Sequence, residues 1–198
     1  MRQIYPVLFL LIVLVACHGS YVASNDLDMR KRSVAPQLLD GFYQESGSEG
    51  RWVDQQFAVV LRPPEGAEHN GARLQIKLFL PDQLFKILGP LTLAATADTM
   101  PLDPHKLSTF GPTAVSWDIP PSLMATNLLP VSFNLDKSTT LRDSGLEERS
   151  WPKRLPFPNS PFVPARRVSD DSETGTPKRT IEESRISVVV TEISLIAK

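Results

Sequence analysis

One cysteine, Cys17, stands in 198 residues. A lone thiol cannot close a disulfide within the chain, and it leaves no cysteine-built zinc site. Charge of one sign is missing as well. The 21 Lys and Arg offset 22 acidic residues, so no field of the whole molecule attracts nucleic acid, and no basic stretch interleaves with aromatics. Histidine is scarce: His18, His69 and His105 lie far apart, none with a second histidine at metal-ligand spacing and none beside a serine motif. His105 has only Asp103 close by in sequence. Gly66, Gly71, Gly89 and Gly111 are isolated and form no phosphate-cradling loop. These absences argue against nucleic acid as a partner and against a metal, a nucleotide or any other cofactor. Nor is there an apolar run that spans a bilayer. The longest, Val7 to Ala16, has ten residues, about half of what a helix needs to cross a hydrocarbon core of roughly 30 Å.

What that run does have is the form of an export signal. Met1-Arg2 gives a positive start, Val7 to Ala16 an apolar centre, and Ala16 a small residue at a cut. Residues 1–16 are therefore expected to be a signal peptide. The run ends in Leu14-Val15-Ala16-Cys17, which resembles the lipobox of bacterial lipoproteins, where a cysteine after a small residue is lipidated and becomes the mature N-terminus. The resemblance implies lipidation at Cys17 and attachment to a membrane, since two or more acyl chains anchor stably where one is marginal. With His18 rather than Asp after the cysteine, it further implies an outer-membrane protein facing the periplasm or the surface. An ordinary signal peptide, cut near Gly19 with Cys17 discarded, is the alternative.

Residues 17–37 read as a lipid-anchored tether, because His18 to Ala35 is polar and without apolar period. Arg30-Lys31-Arg32 reads as a solvated charge run, with contact to anionic headgroups the alternative. From Leu38 short apolar or alternating segments are separated by turn signals. Phe57 to Leu61 is a strand candidate that follows Arg51-Trp52-Val53 and is closed by Pro63-Pro64-Glu65-Gly66, and Leu74, Ile76, Leu78 and Leu80 alternate with Gln75, Lys77 and Phe79. Leu84, Phe85 and Leu88 share one face of a helical turn over 81–89. Leu91 to Thr99, Val115 to Ile119 and Val131 to Leu135 are further strands, with a turn at 98–101.

Residues 144–184 break the pattern with six of the 18 prolines and no alternation. They are expected to be a long, disordered, Pro-rich loop, unable to bury enough apolar area to offset its ordering entropy. Trp151, Phe157 and Phe162 within it pack back on the domain or serve as a ligand for another protein. Arg185 to Ile196 is so rich in Val and Ile that it must lie centrally, with both faces covered or with a bulge. The predicted domain is then 38–143 plus 185–197: all-β, a single antiparallel β-sandwich of jelly-roll type.

At Gly41-Phe42-Tyr43, Glu45, Arg51-Trp52 and Val188 to Leu195 the domain resembles a family of bacterial exported β-sandwich domains. Related jelly-roll modules look like carbohydrate-binding domains and also occur appended to envelope glycosyltransferases. The likeness runs from Leu39 to about Asp143 and over the last strand. The family pattern has Asn-Gly where this chain has Asp98-Thr99, Leu-Gly where it has Ile186-Ser187, and no loop as long as 144–184. It implies a non-catalytic sandwich in the cell envelope, with no assigned substrate.

Tyr43, Glu45, Arg51 and Trp52 are the candidate ligand-binding residues, since aromatic faces stack on sugar rings while Glu and Arg bond hydroxyls at the rim. In the other reading Phe42 plugs the end of the sandwich, Trp52 precedes a strand, and Glu45 pairs with Arg51 to fix the loop. A membrane-anchored envelope lipoprotein with a non-catalytic module for carbohydrate or an envelope polymer is the function this supports, with a purely structural or protein-interaction lipoprotein as the alternative. Third comes a glycosidase-like hydrolase, for which Glu45, Glu49 and Asp54 would have to supply the carboxylate pair. Exposure of Phe42, Tyr43 and Trp52 on one concave face favours the sugar reading, and burial of all three the structural one.

Overall fold

The computed structural model describes residues 21–43, 50–146 and 185–198. Its strands are β1 (Asp26–Asp28), β2 (Leu38–Phe42), β3 (Arg51–Leu61), β4 (Ala72–Leu80), β5 (Leu91–Ala97), β6 (Met100–Leu107), β7 (Gly111–Ile119), β8 (Leu129–Leu135), β9 (Thr139–Thr140), β10 (Arg185–Ile186) and β11 (Val189–Ala197). Two short helices, α1 (Ala67–Asn70) and α2 (Asp82–Leu88), cap opposite ends. Among the described residues no helix is long and apolar enough to cross a membrane.

The strands form two antiparallel layers, ordered β1-β11-β4-β7 and β3-β8-β5-β6, with β2 added along β3. Taking those eight strands in chain order, every connection crosses between layers except the β5–β6 hairpin. That is the jelly-roll order. One side of the sandwich is closed where β11 pairs β3 at Val189↔Trp52 and Val190↔Arg51. On the other side β6 and β7 are edges, bridged by Trp117, whose Nε1 donates to the carbonyl oxygen of Asp103 at 2.6 Å.

Period-two alternation builds the core. In β4, Leu74, Ile76, Leu78 and Leu80 point inward, and Val131, Phe133 and Leu135 do so in β8. Phe57 stacks on Phe133 with ring centroids 4.9 Å apart, and Phe42 meets Phe57 edge-on at 5.4 Å. β11 lies centrally, between β1 and β4, and the register slips between Val190 and Glu192. A bulge thus resolves the two apolar registers of that strand.

Three expectations are corrected. The tether over 17–37 is not one where it is described: Leu27 and Met29 are fully buried, and Gln37 is buried with its amide donating to Ser24 O and Val60 O. A three-residue strand is too short to show a period, and Asp26 and Asp28 on either side of Leu27 read as linker. β6 was hidden by Pro101 and Pro104, which an edge strand tolerates. The turn before it is the two-residue Asp98-Thr99, with Asp98 at φ 53°, so His105 sits on a strand, not in a loop. Lastly, residues 144–146 belong to the domain and not to the loop expected over 144–184. Ser144 is fully buried, Leu146 packs on the core, and β9 pairs β10. Residues 147–184, with Trp151, Phe157 and Phe162, lie outside the described residues, as do residues 1–20 with Cys17.

Candidate functional site

The expected ligand surface is not a surface. Phe42 is fully buried, and Tyr43, Arg51 and Trp52 are 2, 2 and 7% exposed, so no sugar ring can reach their faces. Tyr43 donates its hydroxyl hydrogen to the carbonyl oxygen of Arg185 at 2.6 Å. Arg51 Nη2 donates to the carbonyl oxygen of Lys31 at 3.2 Å. The corner where β3 meets β11 has both faces covered, which is why three consecutive residues, Arg51 to Val53, are all buried. Glu45 and Glu49 lie outside the described residues. The carboxylate of Asp54 accepts from its neighbour's backbone, Gln55 N, at 2.6 Å.

A different set of side chains converges on the outer face of the β3-β8-β5 layer. The register places Gln56 opposite Asn134 and Asn134 opposite Ala94, and in the next row Ala58 opposite Ser132 and Ser132 opposite Thr96. Asp40, on β2, faces Ala58. Because Ala58 and Ala94 are small, a groove of roughly 330 Å³ opens between the longer side chains. We refer to this face as the shelf.

Local sequence explains how Asp40 reaches it. β2 follows β3 with register shifts on both sides of Asp40, and Gly41 has φ +75° with space for no Cβ. One built there would lie 2.0 Å from Gln56 O and 2.6 Å from Phe57 Cα. Glycine lets β2 press against β3, and Asp40 then points outward, one carboxylate oxygen accepting from Gly41 N at 2.7 Å.

Chemically the shelf is a set of unspent hydrogen-bonding groups. The side chains of Gln56, Thr96, Ser132 and Asn134 make no hydrogen bond among the described residues. Two amides and two hydroxyls offer both donors and acceptors, the complement of hydroxyl-bearing ligands. Phe57 and Phe133 stack directly beneath them, a packed floor that fixes the strands and limits the ordering cost of binding. Among the described residues Asp40 is the one carboxylate on the shelf, whereas glycoside hydrolysis calls for a pair. No aromatic ring of the described residues faces outward there.

The shelf was missed in the sequence because polar residues at alternate positions of a strand read as a solvated outer face. The signal that was present is the repeated i, i+2 spacing Gln56/Ala58, Ala94/Thr96 and Ser132/Asn134, the last two on predicted strands and the first at the start of one.

A second groove lies at the β6–β7 edge. His105 meets Trp117 edge-on at 5.2 Å. Nearby, Lys198 Nζ and Arg73 Nε lie 3.1 and 3.5 Å from Asp118, and the hydrogen bond from Lys198 holds that carboxyl below its ordinary range. Among the described residues no group of three His, Cys, Asp or Glu side chains is placed to hold a metal.

No protein-family model matches the sequence, and no curated protein matches it. Among solved structures it is similar to the CBM51-2 and INT domains of ZmpB from Clostridium perfringens, at 8% identity over 58% of this chain, with a TM-score of 0.29. The chain spans about a quarter of that structure's length, 24%. A likeness that slight fixes no ligand.

Proposed function

We propose that this chain is an exported envelope protein, lipid-anchored through Cys17 at the outer membrane, whose jelly-roll sandwich is a non-catalytic module. Its shelf binds a hydroxyl-rich polymer, a carbohydrate of the envelope first among them. The observation that carries this reading is the convergence of Gln56, Thr96, Ser132 and Asn134, all without a hydrogen-bond partner among the described residues, over one groove. Mobility in native gels containing xylan, mannan or β-glucan, and co-sedimentation with chitin or peptidoglycan, test it. At least one polymer should retain the wild-type protein, and Gln56→Ala/Asn134→Ala should lose that retention while melting unchanged. Equal behaviour of the two proteins on every polymer would sink the reading. Metabolic labelling with a fatty-acid analogue, compared with Cys17→Ser, tests the anchor separately.

Two observations favour a structural or protein-interaction role instead. Phe42, Tyr43 and Trp52 are all buried. Ile87 and Phe110 are 50 and 58% exposed at the α2 end, with Phe85 6.1 Å from Phe110. Such an apolar cap suits a protein partner. Loss of a co-purifying envelope protein in Phe110→Ser, with none lost in the shelf variant, would favour this second role.

A further inference from the structure

The chain enters the sandwich at the end opposite α2. Arg62 N, at the end of β3, donates to Ser24 O at 3.1 Å, Leu195 N to Asn25 O at 2.7 Å, and Lys198 N to Gly71 O at 3.2 Å. Tyr21 and Val22 lie on a broad groove of roughly 1380 Å³, shared with Arg62, Glu65, Met124 and Leu128. Both are exposed, at 52 and 64%, yet the segment is held in place. The side-chain oxygen of buried Gln37 accepts from Tyr21 OH at 2.6 Å and from Ser24 N at 2.8 Å, and its amide donates back to Ser24 O at 2.8 Å.

Cys17 is four residues before Tyr21, and four residues reach at most about 14 Å. An acylated Cys17 would hold this end of the sandwich against the headgroups. The opposite end, with α2 and Phe110, stands a strand's length away, on the order of 30 Å for nine residues. The exposed groups suit that place. A tyrosine with its hydroxyl bonded and its ring exposed, next to a valine, matches the amphipathic interface. The guanidinium of Arg62 makes no hydrogen bond among the described residues and is available to lipid phosphate. Glu65 shares the groove. Glu68 lies 3.6 Å from His69.

We infer that the end of the sandwich formed by residues 21–25, 62–65 and 124–128 is a bilayer-facing surface, with Tyr21 and Val22 seated among the lipid headgroups. The inference rests on the anchor at Cys17 for its reach. It orients the module: the shelf runs along the side, and the β9–β10 clasp faces away from the membrane.

Because Cys17 is the sole thiol, the mature chain that begins at Cys17 can be coupled there to a maleimide-headgroup lipid in phosphatidylethanolamine–phosphatidylglycerol vesicles. Hydrogen exchange is then compared with the same chain capped by N-ethylmaleimide in vesicle-free solution. Amides of 22–25 and 124–128 should exchange severalfold more slowly on vesicles, with 85–89 and 108–111 unchanged, and Tyr21→Ser/Val22→Asp should abolish the difference. Equal exchange at the first set, or protection at the α2 end instead, overturns the inference. A negative fatty-acid label in cells overturns the anchor alone, because the coupled vesicles supply the attachment artificially.

Discussion

Tyr43 donates its phenolic hydrogen to the carbonyl oxygen of Arg185 across 142 residues of sequence, at 2.6 Å. It is one of several bonds that clasp the base of the segment 147–184. Gln55 Oε1 accepts from Ser138 Oγ at 3.2 Å and from Arg185 Nη1 at 3.3 Å, and Ser187 Oγ donates to Lys137 O at 3.1 Å. Tyr43→Phe should therefore lower stability by about 1 kcal/mol, a fall of roughly 2–4 °C in melting temperature for a domain of this size. Calorimetry of the two proteins measures it. An unchanged melt would mean that the clasp holds without this bond.

The central place of β11 makes its core residues the most sensitive in the C-terminal strand. Ile193 is fully buried and stands opposite Leu27 on one side and Ile76 on the other, both also fully buried. Ile193→Ala should cost about 2–5 kcal/mol, against a total stability of about 5–15 kcal/mol. Ile193→Asp should abolish cooperative folding, since neither neighbour offers the carboxylate a partner. Urea denaturation followed by tryptophan fluorescence reads both changes.

Two carboxylates on β1 respond to pH in opposite senses. Asp28 accepts a hydrogen bond from the Arg30 guanidinium at 2.7 Å, which holds its carboxyl below the ordinary range. The folded state therefore binds fewer protons there than the unfolded one, and the stabilisation is present above the unfolded pKa and lost as pH falls through the folded one. Desolvation, followed by the nearby Glu192, pushes Asp26 up. Its ionisation works against folding at neutral pH, and that penalty is relieved as pH falls. Thermal melts should then show Asp28→Asn less stable and Asp26→Asn more stable than wild type at neutral pH, both differences closing in acid. Constant differences across the range would contradict the assignment.

Much of the fold is written in local periodicity. The alternation from Leu74 to Leu80, the Val131–Leu135 strand and the helical face at Leu84, Phe85 and Leu88 all form the elements their patterns predict. The double apolar register of the last strand calls for covered faces or a bulge, and the strand has the register shift. Short or proline-bearing strands are what escape. Asp26–Asp28 offers one apolar residue, and Met100–Leu107 carries two prolines because it is an edge. The candidate site fared worse. Trp52, Tyr43 and Arg51 look like a binding set in one dimension, but the β3–β11 corner that buries them is made by residues more than a hundred positions apart. The shelf, too, exists only through registers linking Asp40, Gln56, Thr96 and Asn134 across three strand pairings.

Gly41 ties backbone geometry to that shelf. With φ at +75° and Gln56 O only 2.0 Å from where a Cβ would be, Gly41→Ala forces β2 off β3. A loss of more than about 1 kcal/mol is expected, and with it displacement of Asp40. Hydrogen exchange should speed up at residues 39–42 and leave β4 and β7 unaffected. An alanine variant with wild-type stability would show that β2 has room to spare.

The shelf itself is tested most directly by the side-chain amide signals of Gln56 and Asn134 in a nitrogen–proton correlation spectrum, recorded as cellohexaose, xylohexaose, mannohexaose or chitohexaose is added. With at least one of these saccharides both signals should shift in a saturable way, while the amide of Gln37, buried and already bonded to Ser24 O and Val60 O, stays in place. Gln56 and Asn134 signals unmoved by all four, or shifts confined to another face of the sandwich, would contradict the proposal that this face binds carbohydrate.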